Sequence, residues 1–194
     1  SGENAAAVGD KAKAGGYKAA ALGYDSAASG LSATALGGES KAEALRSVAV
    51  GFRAHAKGTN DVAVGGAAAA SGGQSVAVGL LSKASALRAV AVGNGAQASN
   101  IDAVAIGRDS EADALSATAL GDRAKARGTQ SLALASAAEA EGYQAVAVGT
   151  RAVSNAVNSV ALGVESSATA LNGLAVGTSS SVRKEGGTAV GGGA

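Results

Sequence analysis

The chain has 194 residues and a formal net charge of +1 at pH 7, with 52 Ala, 30 Gly and no Pro, Cys, Met or Trp. This balance argues against a nucleic-acid partner, because phosphate contacts need a clustered surplus of Lys and Arg. The absence of Cys excludes disulfides and thiolate metal sites. No stretch approaches the roughly 20 apolar residues of a membrane-spanning helix. The N-terminus also lacks the charged start and apolar segment of a signal peptide.

A fourteen-residue repeat runs through the sequence. Glycine recurs at this period from Gly9 to Gly191, and Ala135 is the one exception. An unbroken period without insertions means that each repeat adds one identical unit stacked on the last, so we predict one repeat domain over residues 1–194, about fourteen coils forming a rod. The glycines assigned to turns are Gly51, Gly65, Gly79, Gly93, Gly107, Gly121, Gly149 and Gly163.

The residues before each repeating glycine predict the first strand of a coil. Bulky aliphatic residues lie three and one positions before the glycine and enclose an alanine, as in Val48, Ala49 and Val50. A period of two is typical of a β-strand whose side chains point alternately to opposite faces. One face of this strand is therefore bulky and apolar, and the other carries only Ala and Gly.

A second, different alternation follows the glycine. Small residues lie three and five positions on, as at Ala54 and Ala56, and their neighbours are mostly polar. This pattern predicts a second strand with small residues inside and polar residues outside. A Gly, Ala or Asn seven positions after the repeating glycine, such as Gly58, is predicted to close the coil at a second turn.

The charged residues favour parallel strands stacked in register. If the coils align, residues fourteen apart are neighbours at about 4.8 Å, where opposite charges stabilise each other. Each exposed pair contributes about 0.2 to 1 kcal/mol, so the pattern says more about register than about stability. The alternating sets are Asp109, Glu111 and Asp113, then Arg123, Lys125 and Arg127, then Glu139 and Glu141, with Glu39 and Glu43 before Arg53 and Lys57 upstream.

The bulky face of the first strand predicts a subunit interface. It carries 23 Val, Leu or Ile residues that point away from the narrow interior of the coil. Soluble monomers rarely expose apolar patches beyond a few hundred Å², and symmetric homo-oligomers are the usual solution. The predicted interface residues are Val48, Val50, Val62, Val64, Val76, Val78, Val90, Val92, Val104, Ile106, Leu120, Leu134, Val146, Val148, Val160 and Leu162.

No group of residues points to catalysis, so we predict no enzyme, no catalytic residue, no cofactor and no metal site. His55 is the only histidine, and it is expected to be a solvated surface residue without a triad partner. The carboxylates around Glu111 could recruit a cation, but the basic coil that follows offers them partners. Each glycine is explained by a turn, and no phosphate-binding loop motif occurs. The aromatic residues Tyr17, Tyr24, Phe52 and Tyr143 adjoin turns, where they pack at corners or, if exposed, contact a ligand.

The repeat resembles a known family. Residues 158–166 read NSVALGVES, which is similar to the NSVAIGxxS repeat of YadA-like head domains in trimeric autotransporter adhesins, with weaker copies at 47–51 and 75–79. The resemblance implies an all-β, left-handed parallel β-roll that forms a homotrimer. It places this head on the cell surface of a Gram-negative bacterium, carried on a stalk with an outer-membrane anchor. The neck, stalk and anchor are not in this fragment, and handedness and trimeric state follow from the resemblance alone.

The leading functional hypothesis is therefore adhesion, in the sense of a virulence-associated head that binds host surfaces. Members of this family commonly bind collagen, fibronectin or laminin, and the sequence does not select among these proteins or host-cell receptors. The alternative is a purely structural spacer that extends another binding head. Solenoid acyltransferases and ice-binding proteins fit less well, because the period is not six and the Thr residues form no flat array.

Overall fold

The computed structural model describes residues 2–194, and every regular element in this range is a β-strand. The described range accordingly contains no helix that could cross a membrane. The chain divides into two compact units, one ending at Ala96 and the other beginning at Gln97. Each unit is a parallel β-solenoid, in which one coil of fourteen residues contributes one long strand and one short strand.

The first unit contains thirteen strands. Its three-residue strands are β1 (Ala6–Val8), β3 (Ala20–Leu22), β5 (Thr34–Leu36), β7 (Val48–Val50), β9 (Val62–Val64), β11 (Val76–Val78) and β13 (Val90–Val92). Its two-residue strands are β2 (Lys13–Ala14), β4 (Ala27–Ala28), β6 (Lys41–Ala42), β8 (His55–Ala56), β10 (Ala69–Ala70) and β12 (Lys83–Ala84).

The second unit contains fourteen strands. Its three-residue strands are β15 (Val104–Ile106), β17 (Thr118–Leu120), β19 (Leu132–Leu134), β21 (Val146–Val148), β23 (Val160–Leu162), β25 (Leu174–Val176) and β27 (Thr188–Val190). Its two-residue strands are β14 (Gln97–Ala98), β16 (Glu111–Ala112), β18 (Lys125–Ala126), β20 (Glu139–Ala140), β22 (Val153–Ser154), β24 (Ser167–Ala168) and β26 (Ser181–Val182).

Within each unit the strands pair with the equivalent strands of neighbouring coils, in parallel and in register. Val62 lies opposite Val76 in the long-strand sheet, and Lys125 lies opposite Glu139 in the short-strand sheet. The offset is fourteen residues at every such pair, so the predicted two-stranded coil and its register are confirmed. The short strands have only two residues, and the first small inward position of this segment, such as Ala54, lies directly before the strand.

The interior of each coil consists almost entirely of Ala and Ser. Ala49 from a long strand and Ala54 and Ala56 from the segment that follows are fully buried, as the alternating patterns predict. A fourth inward position lies four residues before the repeating glycine, and Ser47 and Asp61 occupy it in successive coils. It is two residues before the inward alanine, so it continues the alternation of the long strand. Several buried hydroxyls of the turns bond to carbonyls three residues earlier, as Ser47 Oγ does with Ala44 O at 2.8 Å, which offsets the cost of burying them, whereas Ser131 Oγ is buried without a partner.

Among residues 2–194, Asp61 is the one charged residue in the interior, and it links two coils. Its Oδ2 accepts a hydrogen bond from the amide of Gly58 at 2.6 Å. Its Oδ1 accepts bonds from both the amide and the hydroxyl of Ser75 on the next coil, each at 2.8 Å. Three hydrogen-bond donors thus satisfy a fully buried carboxylate, so Asp61 joins two coils through polar contacts in an interior that otherwise consists of small residues.

The repeating glycines adopt a backbone conformation that other residues avoid. Gly65 has φ of +132°, and a methyl group built on it would lie 2.5 Å from the carbonyl oxygen of Gly79 on the next coil. Both the positive φ and the close stacking therefore require glycine. At the second turn the left-handed residue is Asn60, two positions beyond Gly58, whereas Gly58 lies where the backbone of Gly73 approaches within 2.5 Å of an added methyl group.

Ala135 occupies the position of a repeating glycine and retains its conformation, with φ of +111°. Replacing Ala135 with Gly is expected to stabilise the fold by about 1 to 3 kcal/mol, because an L-residue in this region is strained. Thermal unfolding followed by circular dichroism measures the effect, which corresponds to about 2 to 4 °C per kcal/mol for a chain of this size. A midpoint that falls below that of the wild type would contradict the strain at Ala135.

Candidate interaction surfaces

The outward side of the long strands forms a continuous apolar face within each unit, here called the strand stripe. It contains all sixteen residues predicted to form a subunit interface. Most are half-buried in the single chain, because neighbours fourteen residues away cover part of each side chain, while Ile106 and Leu134 remain 40% and 38% exposed. No position of the stripe carries a charge. The structure therefore places these side chains outside the interior, and their role in assembly stays a prediction.

A second apolar row lies at the second turn, and the strand patterns did not reveal it. Its members occupy the position eight residues after each repeating glycine, and most are exposed by 38% to 47%. We call this row the second-turn ladder. Its apolar members are Tyr17, Leu31, Leu45, Leu87, Ile101, Leu115, Tyr143, Val157 and Leu171. Alignment of the fourteen-residue repeats would have shown this column, since it is independent of strand alternation.

The short strands and the segments beside them form the polar outer face, and some of the predicted charge pairs, Arg53–Glu39, Lys125–Glu139 and Arg127–Glu141, form between coils. Lys125 Nζ lies 3.5 Å from Glu139 Oε1. Arg127 bridges two acidic residues, with Nη2 at 2.6 Å from Glu111 Oε2 and Nη1 at 3.3 Å from Glu141 Oε1. Further pairs join Arg53 to Glu39, Arg108 to Asp122 and Arg151 to Glu165.

The pairing of Asp122 illustrates the electrostatics of this face. A hydrogen bond from Arg108 holds the pKa of the Asp122 carboxyl below its ordinary value, and the charges of Arg108 and Arg123 act in the same direction. Arg108 is exposed and Asp122 is half-buried at the surface, so water and salt screen the pair. Since the pKa of the folded state is lowered, its small contribution to stability is present above the ordinary carboxyl pKa and is lost as the pH falls below it.

Two of the carboxylates that could have recruited a cation, Glu111 and Asp113, have protein partners. Glu111 bonds to Arg127, and Asp113 accepts a hydrogen bond from Ser99 Oγ at 2.8 Å. Across residues 2–194 no group of three or more His, Asp or Glu side chains is arranged to hold a metal ion. His55 is half-exposed on β8, with Nε2 2.9 Å from Glu43 Oε1. The sequence predicted that Glu43 would neighbour Lys57 on the next coil. In the structure its contact on that coil is with His55.

Two open depressions lie on the outer face. One, of about 250 Å³, is in the first unit and is lined by Asp25, Glu39, Lys41, Arg53 and His55. The other, of about 540 Å³, is in the second unit and is lined by Asp109, Glu111, Arg123, Lys125, Ala137, Glu139 and Arg151. Both are bounded mainly by charged side chains, and each holds one ion pair, Arg53–Glu39 in the first and Lys125–Glu139 in the second, so they resemble open polar grooves more than enclosed ligand cavities.

The aromatic residues project from the turns. Tyr17, Tyr24, Phe52 and Tyr143 are between 39% and 55% exposed. Cations cover three of these rings: Lys18 Nζ lies 5.0 Å from the ring centroid of Tyr17, Lys11 Nζ lies 5.3 Å from that of Tyr24, and Arg53 Cζ lies 4.8 Å from that of Phe52. Corner packing is thus partial, and the rings are accessible to a partner.

Comparison with known proteins agrees with this architecture. The family of the YadA head domain repeat, whose unit comprises two copies, matches residues 1–26, 28–54, 56–82, 84–110, 112–134, 140–166 and 168–194. The longest unmatched stretch, 135–139, begins at the strained Ala135. No curated protein sequence matches the chain. The crystal structure of the collagen-binding domain of the Yersinia adhesin YadA is 31% identical, with a TM-score of 0.51, and the match covers 62% of this chain and 67% of that one. The chain therefore belongs to the YadA head family, the head repeats of surface-exposed Gram-negative adhesins.

Proposed function

We propose that this chain is an adhesin head that assembles as a homotrimer and binds host extracellular-matrix proteins or host-cell surfaces. The observation that carries the proposal is the division of each coil into two opposite surfaces. One is the uncharged strand stripe, and the other is the charged outer face with its open depressions. A protein of this kind works by presenting a repeated surface, so the proposal includes no catalytic activity and no cofactor.

The uncharged surface supports self-assembly. The strand stripe and the second-turn ladder are both free of charge from Tyr17 to Leu171, whereas the position directly after the repeating glycine carries charged residues such as Asp10, Arg108 and Asp122. A subunit interface excludes unpaired charge and buries apolar groups. The second-turn ladder is therefore the edge that extends the stripe into the interface. The number three follows from the family resemblance.

The outer face supports binding to an extended partner. The same side-chain positions recur in every coil, so a repetitive or immobilised ligand would meet several copies of one patch, and a trimer would triple that number. The solved structure most relevant to this point is described as a collagen-binding domain. Matrix proteins of the collagen, fibronectin or laminin class are accordingly the proposed partners, with host-cell receptors as the other possibility. Such a role requires display on the outer surface of the bacterium through an outer-membrane anchor.

The test measures mass and binding in the same preparation. The fragment is expected to have three times its chain mass by light scattering and to adhere to surfaces coated with collagen, fibronectin or laminin, or to cultured host cells. The matched control is the Ile106→Lys chain, which keeps the outer face but should not assemble. Because avidity depends on several joined copies, this control is expected to bind at least about tenfold more weakly.

A structural spacer is the second candidate, and one observation favours it. Most charged groups of the outer face in the second unit are already paired within the chain, as at Arg127 and Arg108, so few free groups there remain for a ligand. If the assembled fragment binds none of the matrix proteins and no host cell, the spacer function holds and the adhesin function of this segment is wrong.

A further inference from the structure

The first turn of the second unit carries a column of alternating charges in which one member is missing. Two positions after each repeating glycine, or after Ala135 in its place, the side chains of five successive coils are Asp109, Arg123, Ala137, Arg151 and Glu165. We call these five residues the turn column. Its charges would alternate without a break if position 137 carried a carboxylate. The column therefore contains a gap between two arginines.

The backbone places the members of the turn column in one row. All five residues have a left-handed φ between +51° and +58°. The amides of Arg123, Ala137 and Arg151 each donate to a carbonyl of the preceding coil at 2.8 to 3.0 Å. Successive members are thus about 4.8 Å apart with equivalent Cβ directions. The two arginines lie about 9.6 Å apart at the backbone, and only a methyl group stands between them.

The missing side chain leaves an open space on the outer face. The depression of about 540 Å³ is lined by Ala137 and by the arginines on both sides of it. Arg123 and Arg151 are 61% and 65% exposed. Ala67 has the same φ of +53° at the equivalent turn of the first unit, but its neighbours in that column are one arginine and one leucine. A gap flanked by two cations is thus a feature of position 137 and not of every alanine at this turn.

Both arginines keep hydrogen-bond donors for a further acceptor. Arg123 bonds through Nε to Asp122 Oδ2 at 3.2 Å, and Arg151 bonds through Nη2 to Glu165. A guanidinium has five N–H donors, so several remain on each side chain. Arg127 on the same face already bonds to two carboxylates at once. An arginine in this setting can therefore hold a second carboxylate without losing its first.

Three carboxylates also line the depression, and they restrict the kind of ligand that fits. Glu111 bonds to an arginine of the next coil but one beside it, and Asp109 lies two coils from Ala137. Glu139 lies on the same coil as Ala137, two residues on, and its partner Lys125 is 3.5 Å away. A uniformly negative chain laid across the gap would meet Glu139. A segment with a cation two residues from its carboxylate would complement both positions.

We propose that the gap at Ala137 binds a carboxylate side chain from an extended segment of a partner protein. Arg123 and Arg151 hold this carboxylate, and a lysine or arginine two residues away in the partner is directed to Glu139. The segment is extended because side chains two residues apart then point to the same side. The proposal rests on the adhesin function, since it specifies how one patch of the outer face recognises a protein. A polyanionic chain is the competing class.

The experiment uses the intact 194-residue chain in solution, applied to biolayer-interferometry sensors coated densely with a probe, because a multivalent surface makes weak contacts measurable. The probes are short Ser-rich peptides that contain Glu-Ser-Lys, Gln-Ser-Lys or Glu-Ser-Glu, and dextran sulfate as the polyanion. The wild type is expected to bind the Glu-Ser-Lys peptide at least about tenfold more tightly than the other probes. This binding should weaken as the salt concentration rises.

Ala137→Glu supplies the missing carboxylate from the chain itself, so it should weaken peptide binding at least about tenfold. The matched control is Ala67→Glu, which adds the same charge in the same backbone conformation and should bind like the wild type. Arg123→Gln removes one side of the gap and should weaken binding at least about threefold. Asp122 keeps Arg108 as its partner in that variant. Native mass and the unfolding midpoint verify that each variant is folded.

The outcomes separate this site from the adhesin function. Equal effects of Ala137→Glu and Ala67→Glu, equal binding of the Glu-Ser-Lys and Gln-Ser-Lys peptides, preference for dextran sulfate, or no peptide binding would overturn the site. Adhesion of the same variants to matrix-coated surfaces and host cells is measured in parallel. Undiminished adhesion of Ala137→Glu would contradict the site and leave the adhesin function standing. Selective peptide binding by a fragment that adheres to no matrix protein or cell would support the site and contradict the adhesin function.

Discussion

Replacing Val92 or Ile106 with Lys is expected to abolish assembly of the head or to make it insoluble. Both residues lie on the strand stripe, half-buried or 40% exposed in the single chain, where only a second chain could cover them. An ammonium group buried in an apolar interface without a partner costs several kcal/mol, and every subunit of a symmetric assembly would carry one. Size-exclusion chromatography with light scattering measures the native mass.

The control for this experiment is Gln97→Lys. Gln97 begins β14 on the outer face and is exposed, so a lysine there remains in water and should leave the native mass unchanged. Both substitutions add one positive charge, which removes net charge as an explanation of any difference. Identical masses for the Ile106→Lys and Gln97→Lys chains would show that the strand stripe is not the interface, as would a monomeric wild type.

Replacing Gly65 with Ala is expected to destabilise the first unit by at least about 2 kcal/mol. The backbone strain of a non-glycine residue at φ of +132° contributes about 1 to 3 kcal/mol. The added methyl group would also meet the carbonyl oxygen of Gly79 at 2.5 Å, and backbone on both sides leaves no flexible group to move. Thermal unfolding monitored by circular dichroism should show a midpoint lower by at least about 4 °C.

Gly15→Ala separates this effect from the general consequence of replacing a glycine. Gly15 has no positive φ, and the nearest atom to an added methyl group is the Cα of Ser29 at 3.9 Å. Alanine at this position restricts the unfolded chain without straining the fold, so stability should stay equal or rise by up to about 1 kcal/mol. Similar losses in the two variants would mean that the repeating glycines are not special.

The interior shows how a chain with few large residues forms a stable core. Ala and Ser fill nearly every inward position, and one local exception is balanced by its neighbours. Val182 is buried where other coils have Ala or Ser, and a methyl group on either Gly173 or Gly187 would lie 3.0 Å from its Cγ1. Larger and smaller residues therefore compensate across adjacent coils, as expected for an interior that is packed without voids.

The sequence alone was sufficient to predict the coil and its register. Strict spacing of Gly51 and Gly65, the alternation around Ala49 and the opposite charges of Lys125 and Glu139 all depend on neighbours within one repeat or exactly one repeat away. Such local, periodic relations can be read directly from the order of the residues. The family resemblance added handedness and trimeric state, which depend on how whole strands and chains turn in space and which no residue pattern here specifies.

Only the tertiary structure shows which turn residues face outward and which side chains contact each other across coils. The exposed second-turn ladder at Leu31 and Leu115 and the exposed ring of Phe52 at the first turn all lie at turns. Strand alternation does not continue through a turn, because left-handed residues such as Asn60 rotate the chain and change the side to which the next side chain points. Strand faces could therefore be predicted from spacing, while the corners required the folded backbone.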